Sequence, residues 1–394
     1  MVRYAAVCWG LTVFMPVGVT WASAILMLLA LVLSGDLRGR AARLRASPLW
    51  WPLVFYTFWT LAVLALRPHY PETPSNLVHG LRIALTFAMA LALTREEALW
   101  GLRAFVAMAL ANIVYIALLY LFLIRWGIWL PMPEAWRGVI MLVGNKSISN
   151  ALLFTMLGAA SAAVGLSQLA RYRPYHALAA FGLTAATVAI VTLNLPSRTS
   201  LLALLIVLPA ICLHQWRRQG RALALALVMG GAVLAVAAWQ APRVEQKIAA
   251  GVAEIEAARN GTVSEGSWVV RYYMYTETAR MIAERPLAGW GIGAWNSEWR
   301  RRGPPLLAEY NMPHNDYLWM GSQAGLPGSL SLLAIILVGV WQAWKRPDLT
   351  GRIAFAAMLI LLLATGVNSA LRDAQIGLAI LWVAMLAFRR ASGP

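Results

Sequence analysis

The 394-residue chain is 60% apolar and only 12% charged, and its mean hydropathy is +0.65. Because soluble globular proteins carry about 25% charged residues, this composition excludes an ordinary soluble domain and predicts a polytopic membrane protein. The net charge of +17 would favour nucleic-acid binding in a soluble chain. Here, however, Lys and Arg lie at helix ends, and no basic stretch is interleaved with base-stacking aromatics. We therefore expect no nucleic-acid partner.

The N-terminal 35 residues resemble a signal peptide, with Arg3 followed by an apolar run. The apolar character continues to Leu33, which instead predicts an uncleaved pair of short helices. The two cysteines, Cys8 and Cys212, both fall inside apolar segments. A disulfide framework is therefore not expected.

Twelve apolar segments are long enough, or nearly so, to cross a membrane as helices. Several are shorter than about 20 residues, which indicates extension into the flanks, tilt or a locally thin bilayer. The predicted fold class is an all-α polytopic membrane protein with about twelve transmembrane helices. The predicted spans are 4–17, 19–33, 49–66, 77–93, 99–124, 148–169, 176–193, 200–213, 222–239, 326–344, 353–367 and 375–388.

Positive charge is distributed unequally between alternate connections of these spans. One set holds 17 of the 33 basic residues, and the short connections of the other set hold seven. Because cytoplasmic loops carry the excess of Lys and Arg, we expect both termini to be cytoplasmic. The chain then divides into transmembrane helices 1–9 (residues 1–239), a large periplasmic helical domain (240–326) and helices 10–12 (327–394).

The long external segment has its own predicted helices. Apolar residues recur at helical spacing from Val244 to Ile255 with charged residues between them, which predicts an amphipathic helix. A second helix is predicted over 267–284, because Arg-Pro follows it. A short third helix over 317–324 is closed by Gly325 before the next span begins.

His314 is the strongest candidate for a catalytic residue. Imidazole titrates near neutral pH and can take a proton from a hydroxyl group. The ring lies in the external segment beside Asn315, Asp316 and Tyr317, which are able to orient it. The alternative is a histidine that serves only as a satisfied polar residue near the interface. The other four histidines have weaker surroundings: His69, His79, His176 and His214.

Several external arginines are candidates for holding a diphosphate, because arginine is permanently charged and bidentate toward phosphate. Arg198 follows Pro196 and Ser197, a sequence typical of a turn at the head of a helix, where the helix N-terminus adds to anion affinity. Arg271 lies on the second external helix. The alternative for each is snorkelling or binding of lipid headgroups. Secondary candidates are Arg137, Arg372, Arg82 and Lys146.

No metal site or cofactor is predicted. The chain has no Asp-x-Asp, no His-Glu-x-x-His and no Cys/His cluster. Fixed positive side chains can take over the electrostatic role of a metal ion. The glycine-rich stretch 289–293 lacks the preceding strand and the full spacing of a nucleotide loop, so we interpret it as a structural turn.

Four motifs of the chain occur in a characteristic order: Arg271 and the stretches 286–291, 314–318 and 323–328. Together they resemble the shared domain of O-antigen ligases, O-antigen polymerases and bacterial O-oligosaccharyltransferases. The motif likeness covers residues 198–328, and the twelve-span layout extends it to the whole chain. Members often have Glu where this chain has Gln323. The compact length and the single dominant outer loop are most similar to the O-antigen ligase of lipopolysaccharide assembly.

The ligase resemblance implies a fold like that of C-type glycosyltransferases and a specific reaction. In this reaction a preassembled glycan moves from undecaprenyl diphosphate to a sugar hydroxyl of lipid A-core. The transfer is metal-independent and inverting, and occurs on the periplasmic face of the bacterial inner membrane. In that family an outer histidine and two outer arginines matter for activity, and by motif these fall on His314, Arg271 and Arg198. We assign catalysis to His314, diphosphate binding to Arg198, Arg271, Arg137 and Arg372, and a supporting role to Asn315 and Tyr317.

Two alternatives remain at this stage. One is an O-antigen polymerase or a protein O-oligosaccharyltransferase of the same superfamily. A different class is a twelve-span transporter of lipid-linked glycans, which typically has ionisable residues facing a central cavity and broken helices in matching halves. Few acidic residues occur in the middle of spans here, and the large external segment has no counterpart in the other half.

Overall fold

The computed structural model describes residues 1–125, 146–195, 197–217, 220 and 242–392. The predicted span 222–239 and the candidate Arg137 lie outside the described residues. Within the described ranges the chain is helical, and no strand occurs. Its α-helices are α1 (Val2–Thr12), α2 (Val17–Val32), α3 (Leu37–Arg45), α4 (Trp50–Leu66), α5 (Thr73–Ala92), α6 (Arg95–Arg125), α7 (Ser147–Leu169), α8 (Pro174–Ala189), α9 (Arg198–Trp216), α10 (Pro242–Arg259), α11 (Ser267–Glu284), α12 (Ala294–Arg302), α13 (Asp316–Lys345), α14 (Leu349–Val367) and α15 (Ala374–Ala391).

Eight of the described helices are long and apolar enough to cross a membrane. A ninth span results if α2 and α3, which are bent by 110° relative to each other, cross as a pair. These helices support a multi-pass membrane protein, but the predicted count of twelve spans is not confirmed. The segment predicted as 4–17 illustrates the difference, because α1 has 11 residues and α2 begins only after Pro16. Proline disfavours helical geometry at the residue that precedes it, so Pro16 explains the interruption between α1 and α2.

Helix α15 lies at the centre of the transmembrane bundle. It packs against α2, α5, α6, α7 and α14, and nearly all of its side chains are buried. Trp382 of α15 stacks on Trp9 of α1 with ring centroids 3.9 Å apart. The connection that leads into α15, residues 368–373, is therefore attached to the most tightly packed element of the fold.

The helices predicted within residues 240–326 are present. Helix α11 has the predicted bounds, and α10 contains the segment predicted to be amphipathic. The Tyr273 hydroxyl of α11 donates to the Ala258 carbonyl of α10 at 3.1 Å, and α11 also packs on α13. Helix α11 therefore links α10 to α13.

Helix α13 is broken at Gly325, as the sequence predicts. Gly325 has φ 69° and ψ −175°, a conformation outside the helical range. The break exposes backbone groups to the turn that follows α11. There the Leu326 N–H donates to the Pro286 carbonyl at 2.7 Å, and the Trp290 N–H donates to the Ser322 carbonyl at 2.9 Å. The turn and the break thus satisfy each other's backbone groups.

The glycine-rich stretch 289–293 has the structural role expected of it. A Cβ on Gly289 would lie 2.5 Å from the backbone of Gln323, and the φ of Gly289 is +60°. The Gln323 side chain accepts a hydrogen bond from the Gly293 N–H and donates to the Trp319 carbonyl at 3.2 Å. Gln323 therefore holds this turn against α13.

Candidate active site

The candidate site begins where residues 313–317 meet the end of α14. Asn315 caps α13, because its Oδ1 accepts the N–H groups of Tyr317 and Leu318 at 2.9 and 3.0 Å. The Asn315 amide also donates to the Gly366 carbonyl at 2.7 Å. The Tyr317 hydroxyl lies 2.7 Å from the Thr365 hydroxyl. Asn315 and Tyr317 therefore attach the His314 segment to the last turn of α14.

His314 adopts an unusual backbone conformation, with φ +54°. Such a conformation is uncommon for a residue with a side chain and persists only where the surroundings enforce it. The Tyr275 hydroxyl of α11 donates to the His314 carbonyl at 3.0 Å and is one such restraint. Residues held in this way cluster at active sites, so the geometry of His314 supports a functional role.

The His314 ring is oriented by Asn368, at the start of the connection into α15. The ring Nδ1 lies 3.3 Å from Asn368 Oδ1. That oxygen also accepts the Ser369 N–H at 2.9 Å, which assigns the oxygen rather than the amide nitrogen to this position. Nδ1 therefore carries the ring proton and donates a hydrogen bond to Asn368 Oδ1. The lone pair on Nε2 is then free to accept a proton from a substrate hydroxyl.

The protonation state of His314 also suits a base. Burial of the ring lowers the pKa of His314 below its usual value. The hydrogen bond from Nδ1 to Asn368 opposes this shift, whereas the positive charge of Arg271 adds to it. The ring is therefore neutral at physiological pH, the form in which imidazole accepts a proton.

Ser267, the first residue of α11, brings the two principal arginine candidates together. Arg198 Nη1 donates to the Ser267 hydroxyl at 2.6 Å, and Arg271 Nη1 donates to the Ser267 carbonyl at 3.2 Å. Arg271 in turn lies close enough to His314 for its charge to affect the imidazole. Ser267 thus joins Arg198 to the N-terminal part of α11, which also carries Arg271, and the charge of Arg271 reaches the His314 ring.

Arg198 occupies the helix start that the sequence predicts. It is the first residue of α9, and the Ser197 side chain caps the helix by accepting the Ser200 N–H at 3.4 Å. The Arg198 guanidinium is exposed and lies 5.6 Å from the centroid of the Trp268 ring. A helix N-terminus with an exposed guanidinium is well suited to an anion.

Most other described arginines of residues 240–326 are already partnered. Arg285 lies over the Trp290 ring at 3.9 Å, and four others form ion pairs. By contrast, among the residues that the structure describes, neither Arg198 nor Arg271 lies within 4 Å of a carboxylate. Their charges are therefore available to a ligand. The four ion pairs join Arg280 to Glu277, Arg300 to Glu72, Arg301 to Glu298 and Arg302 to Glu284.

Arg372 lies beside the His314 segment because its backbone is bonded to Asp316. The buried Asp316 carboxylate accepts the N–H groups of Leu371 and Arg372 at 2.7 and 2.9 Å. These bonds hold the connection 368–373, which contains Asn368, against Asp316. Asp316 lies two residues after His314. Burial lowers the pKa of Arg372, and its Nε has no hydrogen-bond partner within the described chain. Arg372 is therefore a partly desolvated cation beside the His314 segment.

Sequence reasoning missed Asn368 and Tyr275 and gave Asp316 a different role. Asp316 was expected to orient the imidazole, but it instead binds the backbone of residues 371–372. In the sequence, Asn368 stands out only as a polar residue directly after an apolar span. Its contact with His314 becomes visible only in the folded structure. No group of three or more His, Cys, Asp or Glu residues able to hold a metal occurs in the described parts of the chain.

The fold and the site define a class: a multi-pass helical membrane protein with a histidine and arginines beside helix α11. Residues 181–333 match the family model described as O-antigen ligase. The match contains Arg198, Arg271 and His314, and it confirms the resemblance to the O-antigen ligase superfamily over this segment. Members of this family are ligases or polymerases of the glycosyltransferase type. No curated protein matches the chain.

Proposed function

We propose that the chain is an O-antigen ligase, which transfers a preassembled glycan from undecaprenyl diphosphate to a sugar hydroxyl of lipid A-core. The observation that carries the proposal has two parts: Arg198 and Arg271 both bond to Ser267 with no carboxylate within 4 Å among the described residues, and the charge of Arg271 reaches the neutral ring of His314. All three residues lie inside the segment that matches the O-antigen ligase family. Such an arrangement suits a reaction with an anionic leaving group and a hydroxyl nucleophile.

In the proposed mechanism, Arg198 and Arg271 bind the diphosphate of the donor. Arginine forms bidentate bonds to phosphate oxygens, and the N-terminus of α9 adds its partial positive charge. Arg372 contributes a third cation from the connection into α15, and Arg137 is retained as a further candidate from the sequence. These charges stabilise the negative charge that develops on the leaving diphosphate, where one such contact contributes about 3 to 4 kcal/mol.

His314 acts as the general base. Its Nε2 takes the proton of the acceptor hydroxyl while the hydroxyl oxygen attacks the anomeric carbon of the donor sugar. A new bond forms between carbon and acceptor oxygen, and the bond between the anomeric carbon and the phosphate oxygen breaks with its electron pair leaving on undecaprenyl diphosphate. Attack opposite the leaving group inverts the anomeric configuration. General-base help of this kind contributes about 100- to 10,000-fold in rate.

The reaction is placed on the periplasmic face of the inner membrane. The basis is the charge distribution between loops, which puts residues 240–326 outside and both termini in the cytoplasm. In this position the polyprenyl tail remains in lipid while the diphosphate reaches the external arginines. The positive side chains take the electrostatic role that a metal ion has in other sugar transferases.

A reconstituted transfer reaction tests the proposal. Purified protein in liposomes receives lipid-linked glycan and lipid A-core on the same side, and glycosylated lipid A-core is measured by gel electrophoresis. We expect product with the wild-type protein and a loss of about 100-fold or more with His314→Ala. His69→Ala is the matched control, because His69 is exposed and its one hydrogen bond among the described residues is to the Leu64 carbonyl.

Other outcomes distinguish the alternatives. Lengthening of the donor glycan without transfer to lipid A-core would identify a polymerase, and translocation without product would identify a transporter. Full activity of His314→Ala would exclude the histidine from the chemistry.

A further inference from the structure

Two apolar grooves meet on the exposed face of α6. One, of about 430 Å³, lies between α1 and α6. The other, of about 570 Å³, lies between α6, α7 and α8 and is also lined by residues of α14 and α15. Arg103 and Ala107 line both grooves, and both residues are exposed. Because an exposed apolar surface of a membrane-spanning bundle faces lipid, both grooves open to the membrane.

The two grooves lie on opposite sides of Arg103. Successive residues of an α-helix are about 100° apart around its axis. Trp100 and Ala104 therefore fall on one side of Arg103 and line the first groove, whereas Leu102 and Val106 fall on the other side and line the second. Arg103 is thus a cation at the point where two apolar grooves meet.

Arg3 supplies a second cation at the same place. Its guanidinium carbon lies 5.2 Å from the centroid of the Trp100 ring, and that of Arg103 lies 4.9 Å from the same ring. Arg3 Nη2 donates to the Tyr4 hydroxyl at 3.1 Å, whereas Arg103 makes no hydrogen bond or ion pair with the described residues. Arg and Trp are the side chains that meet lipid headgroups at a membrane surface. Among the described lining of the two grooves, these arginines are the only charged residues.

The positive charge at this place is not neutralised within the described chain. Neither arginine forms an ion pair within 4 Å. Glu96 and Glu97 line a neighbouring pocket with Arg3, but Glu97 is bonded to Arg40 at 3.0 Å. Glu96 is exposed and lies seven residues before Arg103, which corresponds to about 10 Å along the helix axis. The two arginines therefore outnumber the one nearby carboxylate that has no ion pair, and the place favours an anion.

The grooves lie away from the candidate active site. Leu386 of α15 is next to α6 at their level, because a Cβ on Gly101 would lie 2.7 Å from Leu386 Cδ1. Leu386 lies 12 residues after Ala374, the first residue of α15, which corresponds to about 18 Å along the helix. The connection 368–373, which holds the site residues, precedes Ala374. None of the described residues assigned to the donor diphosphate lines either groove.

We propose that α6 binds an anionic phospholipid with two acyl chains, whose phosphate contacts Arg103 and Arg3 and whose chains occupy one groove each. Guanidinium groups bind phosphate oxygens, and apolar grooves open to the membrane accept acyl chains. Two grooves that meet at one cation match a lipid whose two chains meet at one phosphate-bearing headgroup. The polyprenyl diphosphate donor has a single chain and therefore fills one groove at most. The proposal is independent of glycan transfer and is measured by binding alone.

Native mass spectrometry of the delipidated full-length protein in detergent tests the proposal with three lipids that carry the same acyl chain. These are phosphatidic acid, diacylglycerol, which lacks the phosphate, and lysophosphatidic acid, which lacks one chain. We expect phosphatidic acid to bind at least about tenfold more tightly than either, since a hydrogen bond to a charged group and the burial of a chain each contribute a factor of this order or more. We expect neither inorganic phosphate nor undecaprenyl diphosphate to displace it.

Each comparison tests one part of the proposal. Equal affinity for diacylglycerol would overturn the phosphate contact, and equal affinity for lysophosphatidic acid would overturn the assignment of two chains. Full displacement by inorganic phosphate would show that no acyl chain is bound. Full displacement by undecaprenyl diphosphate would show that the grooves belong to the donor.

Two variants with matched controls locate the lipid on α6. Arg103→Gln removes the shared cation, whereas Arg38→Gln removes an exposed arginine of α3 that lines neither groove. Ala107→Trp fills the place where the grooves meet, whereas Ala117→Trp adds the same bulk at an exposed position further along α6. We expect Arg103→Gln and Ala107→Trp to weaken phosphatidic acid binding at least about tenfold and both controls to stay within about twofold of wild type. All four positions are exposed, so these variants are expected to keep the fold. Wild-type affinity of Arg103→Gln or Ala107→Trp, or equal weakening in its control, would overturn the proposal.

Discussion

At the scale of single residues, the chemistry depends on which nitrogen of His314 is free. Asn368 accepts the Nδ1 proton and is itself oriented by the Ser369 N–H. Burial and the charge of Arg271 together favour the neutral ring. The His314 ring is therefore neutral and correctly oriented before the acceptor binds. It needs no carboxylate partner, and it does not first have to lose a proton at neutral pH.

The pH profile of transfer tests this arrangement. A lowered pKa means that His314 stays neutral, and therefore active, at pH values below the usual histidine pKa of about 6.5. Activity is then lost only as the pH falls through this lowered value. Asn368→Asp places a carboxylate beside Nδ1, which favours imidazolium and shifts the acid limb of kcat/KM upward by about 1 to 3 pH units. Measurement of kcat/KM from pH 4 to 9 is the check, and an unchanged acid limb in this variant would contradict the assigned contact.

The availability of Arg271 leads to a second prediction. Because Arg271 pairs with no carboxylate in the described structure, Arg271→Gln removes a charge that the donor diphosphate uses. We expect kcat/KM for the donor to fall about 100- to 1,000-fold, equivalent to about 3 to 4 kcal/mol. Arg280→Gln is the matched control on the same helix, because Arg280 is exposed and pairs with Glu277 at 3.2 Å. We expect that variant to stay within about twofold of wild type, and equal losses in both would refute a specific role for Arg271.

At the scale of elements, the break in α13 determines where the site residues lie. The helix starts at Asp316 beside His314 and changes course at Gly325, where the turn after α11 docks. Local sequence was sufficient to predict this break and the bounds of α11, because Gly and Arg-Pro act through backbone sterics within one turn. The contact between His314 and Asn368 was not predictable in this way. It joins residues 54 positions apart and depends on how α13 packs against α14.

Replacement of Gly325 tests the importance of the break. Gly325 has φ +69°, and a Cβ there would lie 2.3 Å from the Leu287 carbonyl oxygen. Gly325→Ala is therefore expected to destabilise the fold by about 1 to 3 kcal/mol through backbone strain alone, with a lower Tm in detergent. Gly182→Ala on α8 is the control, since a Cβ there meets nothing within 4 Å. There the better helix propensity of alanine leaves Tm unchanged or raised. Equal Tm values for the two variants would show that the break is not required.

At the scale of the whole molecule, composition was enough to predict a helical membrane protein but not its number of spans. Helix α4 has 17 residues and α1 has 11, so hydropathy alone cannot decide which of them cross the bilayer. At 1.5 Å per residue, α4 is only about 25 Å long, whereas the hydrocarbon core is about 30 Å thick. Burial within the bundle competes with lipid exposure for such short helices. The sequence pattern does not separate these two environments.

The sidedness of the chain is the last prediction, and the proposed mechanism requires it. If the charge distribution orients the protein as proposed, the connection between α10 and α11 faces the periplasm and the connection between α3 and α4 faces the cytoplasm. Thr262 and Ala46 are exposed positions in these two connections. In a background with Cys8→Ser and Cys212→Ser, we expect Thr262→Cys to react with a membrane-impermeant maleimide in spheroplasts. Ala46→Cys is expected to react only after permeabilisation. The opposite labelling pattern would place the arginines and His314 on the cytoplasmic face, where a periplasmic glycan donor cannot reach them.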